Sequence, residues 1–328
     1  MNINDVAKAA GVSRGSVSNY LNNKNVSDQM KSKIEAAIKE LNYVPNSSAR
    51  DLRSKESKFI VFIIPTVWSP FFSELTYYIQ NELNSFGYKM ILCISDSDFD
   101  KEKEYIDLAE SQKAAGIISI SYSQMNDFVK PGMPLVSIEK EPTGRFSMVS
   151  ADNYEGGKLA AQKLIEKGAE NLIYIGERDI YSDAMLSRKS GFIDYCSRNH
   201  VPYEIVEVAS IKDYENVKKD ISSFLKTNYN RLIEGKIGCF TSTDDYGYLL
   251  LQASNLLKIS IPENIQIVGF DGGKRTINEK PVISSIRQPV DLMAKESVQL
   301  LIKLINKEVS EISRIYLPIS FYEGETTL

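Results

Sequence analysis

The stretch Ile3–Leu21, INDVAKAAGVSRGSVSNYL, constrains this chain more than any other. Val6, Ala7 and Ala10 recur at helical spacing before Gly11, and Val12, Val17, Tyr20 and Leu21 do so after it. Glycine tolerates a positive φ, so Gly11 can end one helix and turn the chain sharply. Ser13 stands where a hydroxyl would accept from the exposed N–H groups opening the next helix. Two short helices joined so tightly form a helix-turn-helix, whose second helix enters a DNA major groove. Arg14, Ser16, Ser18 and Asn19 point away from the Val17–Leu21 side. Arginine matches the two acceptors of a guanine edge and asparagine those of adenine, while serine hydroxyls donate to phosphates. Gly15 lies among them and reaches no base.

Charge supports that reading only when it is mapped along the chain. The net charge of −4 argues against nucleic acid, but residues 1–58 carry ten Lys/Arg against six Asp/Glu, leaving the remainder at −8. A basic amino-terminal module on an acidic body is the asymmetry expected of a DNA reader joined to something else. At 328 residues the chain is long enough for two or more domains. Its 43% hydrophobic and 25% charged content is that of a globular protein in water. No apolar run could span a bilayer, and the amino terminus lacks a basic segment followed by an apolar one. A cytoplasmic protein with no membrane partner is the expectation. Cys93, Cys196 and Cys239 are far apart and show no metal-ligand spacing, so reduced core thiols are expected, and no metal or cofactor.

After Leu21 a turn-rich stretch leads to Ser27 and a helix from Asp28 to Leu41, with Met30, Ile34, Ala37, Ile38 and Leu41 as its apolar stripe. Pro45 ends the segment. From Phe59 the texture changes. The continuous apolar run FIVFIIP (Phe59–Pro65) suits a strand covered on both faces. Strands and helices then alternate to about Gly269. Strand Ile283–Arg287, helix Val290–Asn306 and strand Arg314–Tyr322 close the chain. Repeated βα units imply parallel sheets with right-handed crossovers, and there are too many for one sheet.

DVAKAAGVSRGSVSNYLN and AAIKELNYVPNSSARDLRS resemble the DNA-binding end of the LacI/GalR family of bacterial repressors. SPFF (Ser69–Phe72), SADNYEGG (Ser150–Gly157), RKSGF (Arg188–Phe192) and IVGFDGG (Ile267–Gly273) extend the resemblance over essentially the whole chain. It implies an α/β fold: an N-terminal three-helix helix-turn-helix domain followed by two doubly wound parallel-sheet subdomains of the periplasmic-binding-protein-like type, joined by three crossings. The expected division is a headpiece at 1–44, a hinge helix and linker at 45–58, a first subdomain at 59–150 plus 288–309, and a second at 151–287 plus 310–328. In the family the hinge folds when two copies meet in the minor groove. By that likeness Leu52 is the wedge that pries apart the central base step, with Asn46 or Ser47 a cap and Ala49 a small neighbour. The partners implied are palindromic operator DNA, a small carbohydrate-type effector and a second copy of the chain. With no heptads following strand Arg314–Tyr322, a homodimer is expected rather than a tetramer.

Ligands of such folds bind at the carboxyl ends of strands, between the subdomains. Residues just after the expected strands, or bordering the second subdomain, are therefore the effector candidates: Trp68, Phe71, Phe72, Ser121, Glu139, Asp152, Arg188, Phe240, Thr243 and Asp271. In relatives, positions matching Phe72, Asp152, Arg188, Phe240, Thr243 and Asp271 line the cleft. Aromatic faces stack on sugar rings, and carboxylates with an arginine fork bracket vicinal hydroxyls. Three departures bear on the ligand. Thr66 stands where an Asp is usual, Trp68 where a small polar residue is, and Ser69 where an Asn is. In the second helix, Asn19 replaces a common arginine. Enzyme readings find little: His200 is the sole histidine and lacks a Ser or Cys partner. GFDGGKRT lacks the phosphate-loop spacing, with Arg275 where Ser or Thr would touch magnesium. The competing class is a sugar-binding protein of the same core fold without a regulatory role.

Overall fold

The computed structural model describes residues 1–21, 24–43, 57–120, 128–140, 145–178, 182–274, 276, 278, 280–309 and 311–328. The chain divides into two compact units, Met1–Ser57 and Lys58–Leu328.

Among its described residues the first unit has three helices: α1 (Ile3–Ala10), α2 (Arg14–Leu21) and α3 (Asp28–Glu40). Asn2 opens α1 with a reciprocal cap: its side chain accepts from the Asn4 and Asp5 N–H groups, and Asp5 accepts from the Asn2 N–H at 2.7 Å. Gly11 ends α1 at φ 61°, in the left-handed region where a side chain is penalised. Ser13 Oγ accepts the Ser16 N–H at 3.0 Å, and Ser27 accepts the Met30 N–H. Val6, Ala7, Ala10, Val17, Ile34 and Ala37 form the core. Met30, expected in the apolar stripe of α3, is 40% exposed. It lies in the first turn of α3, outside that core.

The second unit holds two six-stranded sheets. The first has the order β11-β5-β4-β3-β1-β2: β1 (Phe59–Ile64), β2 (Lys89–Ile94), β3 (Gly116–Ser119), β4 (Leu135–Ile138), β5 (Ser147–Ala151) and β11 (Arg314–Leu317). The second has the order β12-β10-β9-β8-β6-β7: β6 (Asn171–Glu177), β7 (Tyr203–Val208), β8 (Ile237–Thr241), β9 (Ile265–Asp271), β10 (Ser284–Arg287) and β12 (Ser320–Tyr322). Every pairing is parallel except that of β10 with β12. Helices α4 (Pro70–Ser85) and α11 (Val290–Ile305) cover one face of the first sheet, and α5 (Phe99–Ser111) the other. On the second sheet, α6 (Asn153–Glu166) and α7 (Asp183–Arg198) share one face, while α8 (Tyr214–Thr227), α9 (Tyr229–Glu234) and α10 (Asp244–Leu256) take the other. Five successive buried residues in β1 reflect that double cover.

The chain crosses between the sheets three times: after β5, after β10, and between β11 and β12. The last crossing corrects the expected division. Arg314–Tyr322 is two strands rather than one. Arg314–Leu317 pairs in register with Met148–Ala151 of the first sheet, whereas 310–328 was expected whole in the second. Pro318 has no N–H to continue the ladder, and the chain switches sheets there. The Asp152 N–H donates to the Leu317 carbonyl at 2.9 Å, tying two of the crossings together.

Candidate functional site

On α2, Arg14, Gly15 and Asn19 are exposed, while Ser16 and Ser18 are half-buried. The hydroxyls of Ser13 and Ser16 lie 3.0 Å apart and share a hydrogen bond, so Ser13 both opens the helix and orients Ser16. Tyr20, on the other side of α2, donates to Glu35 of α3 at 2.9 Å, which fixes the angle at which this face is presented. Asn46, Ser47, Ala49 and Leu52 lie outside the described residues.

Within the second unit a cleft of about 980 Å³ runs between the two lobes along the carboxyl ends of their strands. The first lobe contributes Thr66, Trp68, Phe71 and Phe72 after β1, Asp96 after β2, Ile120 after β3 and Glu139 after β4. The second contributes Glu177 after β6, Lys212 and Tyr214 after β7, Thr243, Asp245 and Tyr246 after β8, and Asp271 at the end of β9. Arg188 reaches in from α7, and Gln288 lies on a crossing.

Arg188 is held closely, and the glycines of two sequence motifs explain how. A Cβ on Gly157 would fall 1.9 Å from the Arg188 carbonyl oxygen, and one on Gly191 would fall 2.0 Å from that of Tyr154. Helices α6 and α7 therefore touch backbone to backbone, which only glycine allows. That contact sets Arg188 beside Asn153. Its Nε donates to Asn153 Oδ1 at 2.8 Å, and Nη1 donates to the Ser242 carbonyl at 2.8 Å and to Asp271 at 3.3 Å. Nη2 reaches Glu139 of the first lobe at 3.5 Å. The guanidinium also lies 3.7 Å from the centre of the Phe270 ring. Glu139, at φ 63°, further accepts from Ser150 Oγ, the Ala151 N–H and Asn153. Arg188, expected to bracket ligand hydroxyls, is thus first a clamp: its donors meet protein acceptors on both lobes.

Asp271 is buried at the same point, at φ 108°, and accepts from Gln288 Nε2 at 2.8 Å. Burial pushes its carboxyl up to about 7, although Arg188 and the Gln288 hydrogen bond pull the other way. Asp244 is pushed well above the usual range too, first by burial and then by the charge of Asp271. Asp244 does not cap α10. It accepts from Ser285 Oγ at 2.6 Å and from the Gly272 N–H at 2.8 Å, and so holds the turn after β9.

Further contacts join the lobes among the described residues. Arg287 of β10 makes a two-pronged pair with Glu74 of α4, Lys140 lies 3.6 Å from Asp183, and Lys212 donates to the Asp96 carbonyl.

Of the residues expected in the effector site, Trp68, Phe71, Phe72, Glu139, Arg188, Thr243 and Asp271 line the cleft. Trp68 is 94% exposed at its mouth, whereas Phe71 is 4% exposed and also belongs to the first lobe's core. Two do not reach it. Phe240 is fully buried among Tyr174, Phe192 and Phe270, because alternation along β8 turns its ring under α6 and α7. Asp152 caps α6, accepting the Glu155 N–H at 3.0 Å, and its neighbour Asn153 makes the contact with Arg188 instead. Ser121 lies outside the described residues. Gln288, Glu177, Asp96, Lys212, Tyr214 and Tyr246 were not among the expected residues. The strand-end rule would have reached Asp96 and Glu177, but nothing local marks Gln288. Cys196 and Cys239 are buried, which pushes each thiol up to about 12.

Comparison with known proteins matches residues 2–46 to the family described as bacterial regulatory proteins, lacI family, and residues 161–327 to the periplasmic binding protein-like domain. The sucrose operon repressor of Streptococcus mutans is 32% identical over 99% of this chain and 98% of its own length. The chain belongs to the LacI family of bacterial regulators. Another LacI-family relative, the ribose operon repressor of Bacillus subtilis, is also 32% identical over 99% of this chain and 98% of its own. Among solved structures, a periplasmic binding protein/LacI transcriptional regulator from Alkaliphilus metalliredigens complexed with D-xylulofuranose superposes with a TM-score of 0.72. It is 30% identical and covers 83% of this chain and 100% of that one. The LacI family is one of transcriptional regulators, not enzymes.

Proposed function

We propose that the protein is a cytoplasmic, homodimeric repressor whose hold on palindromic operator DNA is controlled by a small carbohydrate bound between the core lobes. One observation carries this reading: a LacI-type headpiece at residues 2–46 shares a chain with a core whose lobes enclose a cleft of about 980 Å³. The names of the relatives support it, since they repress sugar operons. In this reading Arg14 and Asn19 read base edges, and Ser13, Ser16 and Ser18 hold phosphates. Residues 45–58 form the hinge, in which Leu52 wedges the minor groove beside Asn46 and Ala49. Trp68, Phe72, Glu139, Thr243 and Asp271 meet the effector, and Arg188 braces them.

An eight-residue helix contacts only a few base pairs, so a two-fold dimer on a two-fold site is the economical solution. The ion pairs joining the lobes are the contacts a ligand would rebalance. An effector and an operator that prefer different lobe arrangements oppose each other by linkage. The alternative, a binding protein without a regulatory role, leaves residues 2–46 without a task.

The test is anisotropy titration of a labelled duplex from the protein's own promoter region, over a salt series and with a panel of sugars. Repressor behaviour predicts a steep salt dependence, a preference for the promoter duplex over a scrambled one, and a shift in affinity with one sugar. Equal affinity for both duplexes, unmoved by every sugar, would reject the proposal.

A further inference from the structure

Resting on the carbohydrate reading above, we propose that the effector is an uncharged saccharide of two linked rings, with one ring at the buried Arg188–Asp271 end of the cleft and the other against Trp68 and Tyr214 at its mouth. Three independent features of the cleft point this way.

The first is size. A volume of about 980 Å³ stands at the top of the range of roughly 300–1,000 Å³ for sites that enclose a drug-sized ligand. A single sugar ring would leave much of that space to water and could not touch both ends.

The second is the gradient along the cleft. At its inner end Arg188, Asp271, Gln288 and Phe71 are all buried. Those polar groups are locked to one another and offer fixed acceptors and donors to hydroxyls. At the mouth, Trp68 is 94% and Tyr214 48% exposed, one from each lobe. A large indole left 94% exposed to water is costly, and its flat apolar face suits the C–H face of a sugar ring. The cleft therefore has two zones, a buried polar one and an open aromatic one.

The third is charge. Among the described residues, the lining holds five carboxylates, Asp96, Glu139, Glu177, Asp245 and Asp271, against two cations, Arg188 and Lys212. Both cations already have partners: Arg188 pairs with Glu139 and Asp271, and Lys212 donates to the Asp96 carbonyl. A phosphate or carboxylate would enter a cleft of net negative charge, in which the Arg188 charge is already matched by two carboxylates. Even with Asp271 protonated, the acidic excess remains.

The experiment is calorimetric titration of the full-length protein, and of Trp68→Ala, with sucrose, maltose and cellobiose, with glucose, fructose and ribose, and with glucose 6-phosphate and sucrose 6-phosphate. The expected result is one uncharged disaccharide that binds at least tenfold tighter than either of its component rings and tenfold tighter than a phosphorylated sugar. In Trp68→Ala the disaccharide-to-monosaccharide affinity ratio should fall at least fivefold. Trp68 is exposed, so the variant folds, and an unchanged promoter-duplex affinity checks this. A single ring that binds as tightly as any disaccharide, a sugar phosphate that binds tightest, or an affinity ratio unmoved by Trp68→Ala overturns the two-ring assignment and leaves the carbohydrate reading standing. Binding of none of the sugars by a protein that still binds its promoter duplex overturns both.

Discussion

Arg287→Met tests whether the core lobes are held together by a buried charge pair. Arg287 donates from Nη1 to Glu74 Oε2 at 2.8 Å and from Nη2 to Oε1 at 2.7 Å, and Nη1 also donates to the Gly272 carbonyl at 2.7 Å. The two side chains are only 8% and 11% exposed. Close by, a Cβ on Gly273 of the second lobe would lie 2.5 Å from the Phe71 nitrogen of the first, so the lobes are in tight contact there. Methionine fills the space of the arginine stem but leaves the Glu74 carboxylate, among the described residues, with the Lys274 N–H at 3.2 Å. Removing one member of a buried pair costs about 3–5 kcal/mol, because the other charge stays desolvated. The surviving N–H bond places the expected loss near the lower end, about 3 kcal/mol. At roughly 2–4 °C per kcal/mol for a core of this size, the melting temperature should fall by about 6–12 °C. Glu74→Leu combined with Arg287→Met removes both charges, and an apolar pair in their place is nearly neutral. The double variant should therefore recover at least half of the Arg287→Met loss, and with about 3 kcal/mol lost in each single the coupling is roughly 4.5 kcal/mol or more. The assay is thermal and urea unfolding of the four full-length proteins, followed by far-UV circular dichroism. A loss below about 1 kcal/mol in Arg287→Met, or a double variant whose loss equals the sum of the singles, would refute the reasoning.

Asp271→Asn should change the pH dependence of stability. Burial raises the Asp271 carboxyl from 3.8 to about 7, so between those values the folded chain holds a proton that the unfolded chain has released. Its stability contribution is full below pH 3.8 and is lost as pH rises to about 7. The variant should accordingly gain on the wild type as pH rises from 4 to 8 in melting curves, and parallel curves would dismiss the shift. Gly191→Ala places a methyl 2.0 Å from the Tyr154 carbonyl oxygen, so α6 and α7 must part. We expect a loss of about 3 kcal/mol or more, beyond ordinary overpacking, measured by urea unfolding, together with weakened effector binding as Arg188 shifts. Arg14→Ala should weaken promoter binding by about 1–3 kcal/mol while sparing a scrambled duplex. Equal losses on both duplexes in anisotropy titrations would make Arg14 a phosphate contact.

Local pattern was enough to determine the helix-turn-helix. The spacing of Val6, Ala10, Val17 and Leu21 about Gly11 is a short-range signal, and a glycine at φ 61° fulfils it directly. The alternation of strands and helices was legible for the same reason, since double-covered strands such as FIVFII are apolar along their whole length. Strand-end position also led to Trp68, Glu139, Thr243 and Asp271, because ligands meet parallel sheets there. What the sequence left open depends on partners distant along the chain. Only β5, brought alongside Arg314–Leu317, decides that this segment joins the first sheet. Only the register of β8 decides that Phe240 turns away from the cleft, and only the backbone contact of Gly157 with α7 makes Arg188 a clamp on Glu139 and Asp271. A side chain's local environment says that it can donate or stack. Which acceptor it finds is settled by residues distant along the chain, 35 to 83 positions away for Arg188, when burial makes each unpaired polar group costly enough to select one arrangement.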